Sequence, residues 1–253
     1  MTAGVPEVIL YIPTRKAIIY AALFGFVAYC WGLLTLYLEV FPYDYLRSAK
    51  QRLVANKVTP RHPGNLRARQ FELFAPKADI VMIGDSLTEG GLWNDMFPEV
   101  RLLNRGIAGD TTEKVIERLN AIIATEPRRA FIMLGINDLQ EKLSVDHIFD
   151  NYLRIVRRLH TENIEIVIQS TLECAEKLCG SDTLESVRKL NRRLKMYARA
   201  NHFTYIDLNS EISSFRGLPD EHTVDGVHLT AQAYWVWYEI LKPYMRPGPL
   251  RPQ

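Results

Sequence analysis

Three separated residues, Ser86, Asp225 and His228, have the side-chain types from which an activated serine nucleophile can be assembled. Ser86 sits in Asp79 to Gly91, DIVMIGDSLTEGG, where the apolar run Ile80, Val81, Met82 and Ile83 stops at Gly84 and Asp85. The spacing D-x-x-H puts the Asp225 carboxylate close enough to orient the His228 imidazole. His228 could then take a proton from Ser86 while Asp225 holds its other ring nitrogen. Each piece also has a plainer reading: in G-D-S, Asp85 or Ser86 can simply cap the next helix, and D-G-V-H alone is commonly a turn and a cap. Two more residues belong beside them. Asn137, in the GIND that follows the apolar run Ala130 to Leu134, could donate a side-chain hydrogen bond or form an Asx turn. Gly109, in NRGIAGDTT, could present its N–H to a developing anion or only supply a turn conformation.

The elements that must position these residues can be read from periodicity. A continuous apolar run such as Ile80 to Ile83 suits a strand buried on both faces of a parallel sheet, which leaves Ser86 at the strand's carboxyl end, where open α/β sheets bind ligands. Further strands are expected at Val100 to Leu103, Ala130 to Leu134, Ile164 to Ile168 and Phe203 to Leu208. Asp110 with Glu113 resembles a capping box opening a helix with Val115, Ile116, Leu119, Ile122 and Ile123 at helical spacing. Helices are also expected over Val145 to Glu162, from Asp182 or Thr183 to about Asn201, and from Thr230 to about Tyr244. A loop from Ser170 to Asp182 carries Cys174 and Cys179. Strands alternating with helices point to an α/β domain with a parallel sheet covered on both faces.

The chain has 253 residues, 47% hydrophobic and 24% charged, which allows one substantial core with an appendage. A formal net charge of +2, with basic residues scattered among acids, gives no case for nucleic acid. The appendage contains Ala17 to Leu38, uncharged over about 22 positions and bounded by Lys16 and Glu39, long enough for a single membrane-spanning helix. The expected organisation is therefore 1–41 with the span at about 17–38, a connector over 42–76, a catalytic domain over 77–245 and a tail over 246–253. Within the connector, Tyr45 to Val58 could form a short amphipathic helix, and TPRHPG at Thr59 to Gly64 is a breaker cluster. Arg47, Lys50, Arg52 and Lys57 after the span outnumber Arg15 and Lys16 before it, which would leave the domain in the cytoplasm. Cys174 and Cys179 would suit a disulfide in an oxidising compartment, and the reading adopted is extracytoplasmic. Two unpaired thiols fit the spacing equally well.

Four blocks in order, GDS at Gly84 to Ser86, the glycine block at Gly106 to Asp110, GIND at Gly135 to Asp138 and DGVH at Asp225 to His228, resemble the SGNH hydrolases, also called GDSL esterases and lipases. The resemblance covers roughly Lys77 to Tyr244, and NRGIAGDTT and DGVHLT look most like the platelet-activating-factor acetylhydrolase-like branch. It implies a three-layer α/β/α flavodoxin-like fold, with Ser86 as nucleophile, His228 as general base and Asp225 as third triad member. It also implies an oxyanion hole formed by the N–H groups of Ser86 and Gly109 and the Asn137 side-chain amide. One such donor is worth about 3 to 4 kcal/mol of barrier. The resemblance implies no metal and no cofactor, and a small-molecule, lipid or glycan ester as substrate; it leaves oligomeric state open. Acyl transfer to a sugar or lipid hydroxyl, and a catalytically silent binding protein, are the alternatives.

Overall fold

Ile80–Gly84 (β1) is buried at every position, as an apolar run without alternation requires. Leu102–Gly106 (β2) and Arg129–Met133 (β3) flank it in parallel, with Gly84 opposite Gly106 on one side and Met133 on the other. Glu165–Gln169 (β4) pairs with β3, and Thr204–Ile206 (β5) with β4, again in parallel. The order β2-β1-β3-β4-β5 is doubly wound, so the direction of winding switches beside β1 and the loops after β1 and β3 part to opposite faces. That parting opens a crevice at the ends of those two strands.

The computed structural model describes residues 15–38 and 66–245, with the side chains of residues 17, 18, 21 and 32–38 outside the description. The chain divides into two units, Met1–Pro63 and Gly64–Gln253. In the first, Arg15–Leu38 (α1) is a helix of 24 residues. Among the described residues no helix is long and apolar enough to cross a membrane. The span expected at 17–38 runs partly through side chains outside the description. The amphipathic helix expected at 45–58, the breaker cluster at 59–64 and the tail at 246–253 all lie outside the described residues.

The second unit has the three-layer α/β/α architecture. Thr112–Glu117 (α5), Val145–Thr161 (α8) and Glu176–Ala200 (α9) pack successively against one another, and Tyr152 of α8 reaches the sheet by donating from its hydroxyl to Ile132 O at 2.9 Å. Ala231–Leu241 (α11) packs with the short helix Trp93–Met96 (α4) through an edge-to-face Trp93–Trp237 pair, ring centroids 4.9 Å apart. Trp237 Nε1 donates to Gln169 Oε1 at 2.7 Å, tying α11 to β4. The remaining helices are Leu66–Leu73 (α2), Ser86–Glu89 (α3), Leu119–Ile123 (α6), Ile136–Gln140 (α7) and Asn209–Ile212 (α10).

Several expected boundaries move, each for a local reason. β2 extends through Asn104 and Arg105 to Gly106, beyond the apolar run: Asn104 is half-buried on this edge strand, and the buried Arg105 donates from a terminal nitrogen to Phe74 O at 3.1 Å. The helix expected to open on Asp110 is instead capped by Thr111, whose side chain accepts from Lys114 N, and it breaks at Arg118. Asp110 is occupied elsewhere, as described below. The loop expected over Ser170 to Asp182 becomes helix from Glu176, interrupted at Gly180 with φ 78°. Within the stretch read as connector, α2 packs on the domain through Phe71, which lies against Ile107 and Ala121.

Candidate active site

The end of β1 turns at once into α3, and Asp85 makes the turn by accepting a hydrogen bond from Leu87 N at 3.0 Å. The plain capping reading is therefore correct for Asp85. It leaves Ser86 at the first helical position, where the main-chain N–H has no intrahelical acceptor. The short helix lies close over β2: a Cβ at Gly106 would stand 2.3 Å from Glu89 N, so only glycine lets the two backbones approach. Asn104 fastens the same corner, its side-chain amide donating to Thr88 O and Glu89 O, each at 3.0 Å. Tyr234 of α11 donates from its hydroxyl to Leu87 O at 2.8 Å.

Ser86 Oγ lies 3.0 Å from His228 Nε2, across 142 positions of sequence. His228 Nδ1 lies 2.7 Å from Asp225 Oδ2, and the other carboxylate oxygen, Oδ1, accepts from the N–H groups of His228 at 2.8 Å and Val227 at 2.9 Å. Partial burial pushes the Asp225 carboxyl up, but the hydrogen bonds from the His228 side chain, the His228 N–H and the Val227 N–H outweigh it, and the group lies at about 2. Asp225 is thus an anion across the range in which an imidazole titrates, the condition for orienting a general base.

Gly109 stands at φ 75° with nothing near its missing side chain, so backbone conformation alone selects glycine there. Its loop is stitched to the sheet end: Ile107 N donates to Gly84 O at 3.1 Å, and Glu89 Oε2 accepts from Ala108 N at 2.5 Å. Asn137 donates from Nδ2 to Asp110 O at 2.9 Å, which joins the GIND block to the glycine block. A second tie runs from Thr112 Oγ1 and N to the buried Asp138 carboxylate, at 2.5 and 3.1 Å. Burial pushes the Asp138 carboxyl up, although the Thr112 hydrogen bonds pull the other way.

Ser86, His228 and Asp225 are therefore brought into one hydrogen-bonded line, and Gly109 and Asn137 meet through the Asp110 carbonyl. Sequence reading did not identify Arg118. Nearly fully buried, it donates from Nε to Asp110 Oδ2 at 2.7 Å and from one terminal nitrogen to Arg105 O and Gly84 O at 2.8 and 3.3 Å. It thereby holds β1, β2 and the Gly109 loop together. Burial pushes the Asp110 carboxyl up and the Arg118 guanidinium down, against their mutual attraction. Its partners are mostly carbonyls of distant residues, which leave no mark in a sequence. Cys174 and Cys179 are joined as a disulfide, Cα atoms 6.2 Å apart. Beside them opens a cavity of about 410 Å³ bordered by Lys177, Arg216, Leu218 and Asp220, apart from Ser86 and His228.

Comparison with known proteins bears on the family and the fold. The model of the GDSL-like Lipase/Acylhydrolase family matches residues 82–236. A solved structure of a candidate acylhydrolase from Bacteroides fragilis NCTC 9343 is 27% identical, with a TM-score of 0.65, over 72% of this chain and 98% of that one. A solved structure of a candidate platelet activating factor from Streptococcus pneumonia is 22% identical, with a TM-score of 0.64, over 71% of this chain and 89% of that one, and shares the fold. An N-acylneuraminate cytidylyltransferase of Streptococcus agalactiae serotype V is 27% identical over 164 residues, 64% of this chain. The chain spans 37% of the length of that curated relative.

Proposed function

Because the chain belongs to the GDSL-like lipase/acylhydrolase family, a family of serine ester hydrolases, we propose that it cleaves carboxylic esters through an acyl intermediate on Ser86. The observation that carries the proposal is the line Asp225 Oδ2, His228 Nδ1 and Nε2, Ser86 Oγ, with spacings of 2.7 and 3.0 Å. In this reading His228 takes the Ser86 proton as Oγ attacks the acyl carbon, and returns it to the leaving alkoxide. Water, deprotonated by His228, then releases the carboxylic acid. The N–H groups of Ser86 and Gly109 and the Asn137 amide stabilise the oxyanion of each tetrahedral state.

The substrate is read as a lipid acyl ester or a glycan acetyl ester. The uncharged run 17–38 within α1 supports a membrane anchor, and the Cys174–Cys179 disulfide supports an oxidising, extracytoplasmic compartment for the catalytic unit. Residues 1–63 would then be anchor and tether. The Streptococcus agalactiae cytidylyltransferase is a much longer chain, and its activity belongs to that whole protein. Acyl transfer to a hydroxyl in place of water uses the same intermediate and is distinguished by its product.

The test is turnover of a short-chain aryl ester by wild type and Ser86→Ala, with and without an added sugar alcohol. The proposal expects a loss of about 10⁴-fold or more in the variant. It expects free acid as the product whether or not the alcohol is present. Near-normal turnover by Ser86→Ala would remove the serine from the mechanism, and acylated alcohol as main product would make the protein a transferase.

A further inference from the structure

The Asp225 and His228 side chains are half-exposed, while Thr223 and Leu229 at either end of their loop are buried. The loop's internal shape comes from its own hydrogen bonds: Gly226 N donates to Thr223 Oγ1 at 2.8 Å, Thr223 Oγ1 to His228 O at 2.8 Å and Val224 N to His228 O at 2.9 Å. These fix the shape of the loop without fixing where it sits. Placement comes partly from the segment 175–179. Ala175 N donates to Gly226 O at 2.7 Å, and the Leu178 side chain lies over Gly226, 2.9 to 3.4 Å from where a Cβ would be. Gly226 is next to Asp225 and two residues from His228.

The segment itself is fixed at one end. Cys174 is fully buried, and Glu173 before it accepts both Nε and a terminal nitrogen of Arg188, at 2.9 and 3.2 Å. At the other end stands Gly180, with φ 78° and open space around it, where α9 is interrupted. Without the disulfide, the covalent path from Leu178 to the rest of α9 would run through the residue type with the greatest backbone freedom. The Cys174–Cys179 bond bypasses that hinge and returns the segment to the buried side.

Resting on the Ser86, His228 and Asp225 reading above, we propose that the disulfide and Leu178 form a redox-sensitive brace that positions the Asp225–His228 loop. Cleavage by a dithiol slows the enzyme without dismantling the fold. In the step, the dithiol supplies two electrons and two protons; the S–S bond breaks, two thiols form, and the dithiol closes into its own disulfide. Leu178, Cys174 and Cys179 are positioning residues, since none touches the reacting atoms. The sheet and the helices other than the first turn of α9 depend little on the bond, because a link across a sequence separation of five closes only a short loop.

The experiment uses the full chain carrying Cys30→Ser, which removes the exposed free thiol so that only the pair reacts. It compares oxidised, dithiothreitol-reduced and alkylated, and oxidised Leu178→Ala forms by kcat and KM on a water-soluble aryl acetate, by thermal unfolding, and by the low-field proton signal of His228 Nδ1–H. Expected are a fall in kcat of about tenfold on reduction with KM within about twofold, broadening of the low-field signal, and the same pattern in oxidised Leu178→Ala. Unchanged kcat and signal in reduced protein that still unfolds cooperatively overturns the proposal. Should reduction unfold the protein, wild-type kcat in oxidised Leu178→Ala overturns it instead. An oxidised protein without esterase activity whose low-field signal still broadens on reduction supports the brace and removes the esterase reading.

Discussion

Asn137 Nδ2 donates to the main-chain oxygen of Asp110 at 2.9 Å, so the amide after β3 is locked to the loop that presents Gly109. A carboxamide has two N–H donors, and this bond uses one. On the mechanism proposed above, the other donates to the oxyanion. The structural and catalytic readings of Asn137 are in this way compatible, with one hydrogen serving each.

The first prediction follows from that division. Asn137→Ala should lower kcat by roughly 10² to 10³ with a smaller change in KM, because a bond to the oxyanion strengthens only as charge develops. Steady-state kinetics and thermal unfolding of the same preparation check it. Full kcat in a protein whose stability has collapsed would leave Asn137 with the loop-holding role alone.

The second concerns Asp85, fully buried beside the nucleophile, with Oδ2 lacking a hydrogen-bond partner among the described residues. Burial is the main cause that pushes its carboxyl up to about 7, with the Asp110 and Asp138 charges adding and the Leu87 N–H opposing. The folded protein therefore keeps a proton that the unfolded chain releases near pH 4. Between about pH 4 and 7 the unfolded state binds fewer protons, so this group makes stability fall as pH rises, by about 4 kcal/mol at most over the window. Asp85→Asn keeps the capping oxygen and removes the titration. Urea unfolding at pH 4.5 and 7.5 should show a shallower fall in the variant than in wild type. Parallel pH profiles would contradict the buried neutral acid.

How far the sequence disclosed this site depends on how local each signal is. β1 was legible because a strand buried on both faces is apolar at every position, and Ser86 was legible because it follows that strand directly. β2 was misread by several residues, since Asn104 and the buried Arg105 are polar residues whose side chains donate to main-chain oxygens of Thr88, Glu89 and Phe74, outside the strand. Asp110 and Glu113 fitted a capping pattern, yet Arg118 takes the Asp110 carboxylate and Thr111 caps instead. The α2 helix gave no stripe to read: its docking rests on Phe71, with the Arg105 guanidinium 4.3 Å from the ring centroid. Arg118 bonds Gly84 O across 34 positions, a partnership that no short window contains.

The third prediction uses the boundary between the two units. A chain beginning at Gly64 retains α2 and should fold and hydrolyse a water-soluble ester at near full-length kcat. Its activity on an ester presented in lipid vesicles should fall relative to the full chain if residues 1–63 serve as anchor and tether. Comparison of the two proteins on both substrates checks this. Equal vesicle activity would remove the anchoring role, and failure of the shorter chain to fold would make 1–63 part of the domain's core.

The central claim is that Ser86 is the nucleophile and His228 its base. Intact-mass and peptide mapping after a fluorophosphonate tests it most directly, because the reagent reacts with an activated serine whatever the natural ester is. The account predicts one adduct per chain, located on Ser86, formed rapidly in wild type, slowly in His228→Ala and not at all in Ser86→Ala. Labelling that lands on another residue, or that proceeds at the wild-type rate without His228, would contradict it.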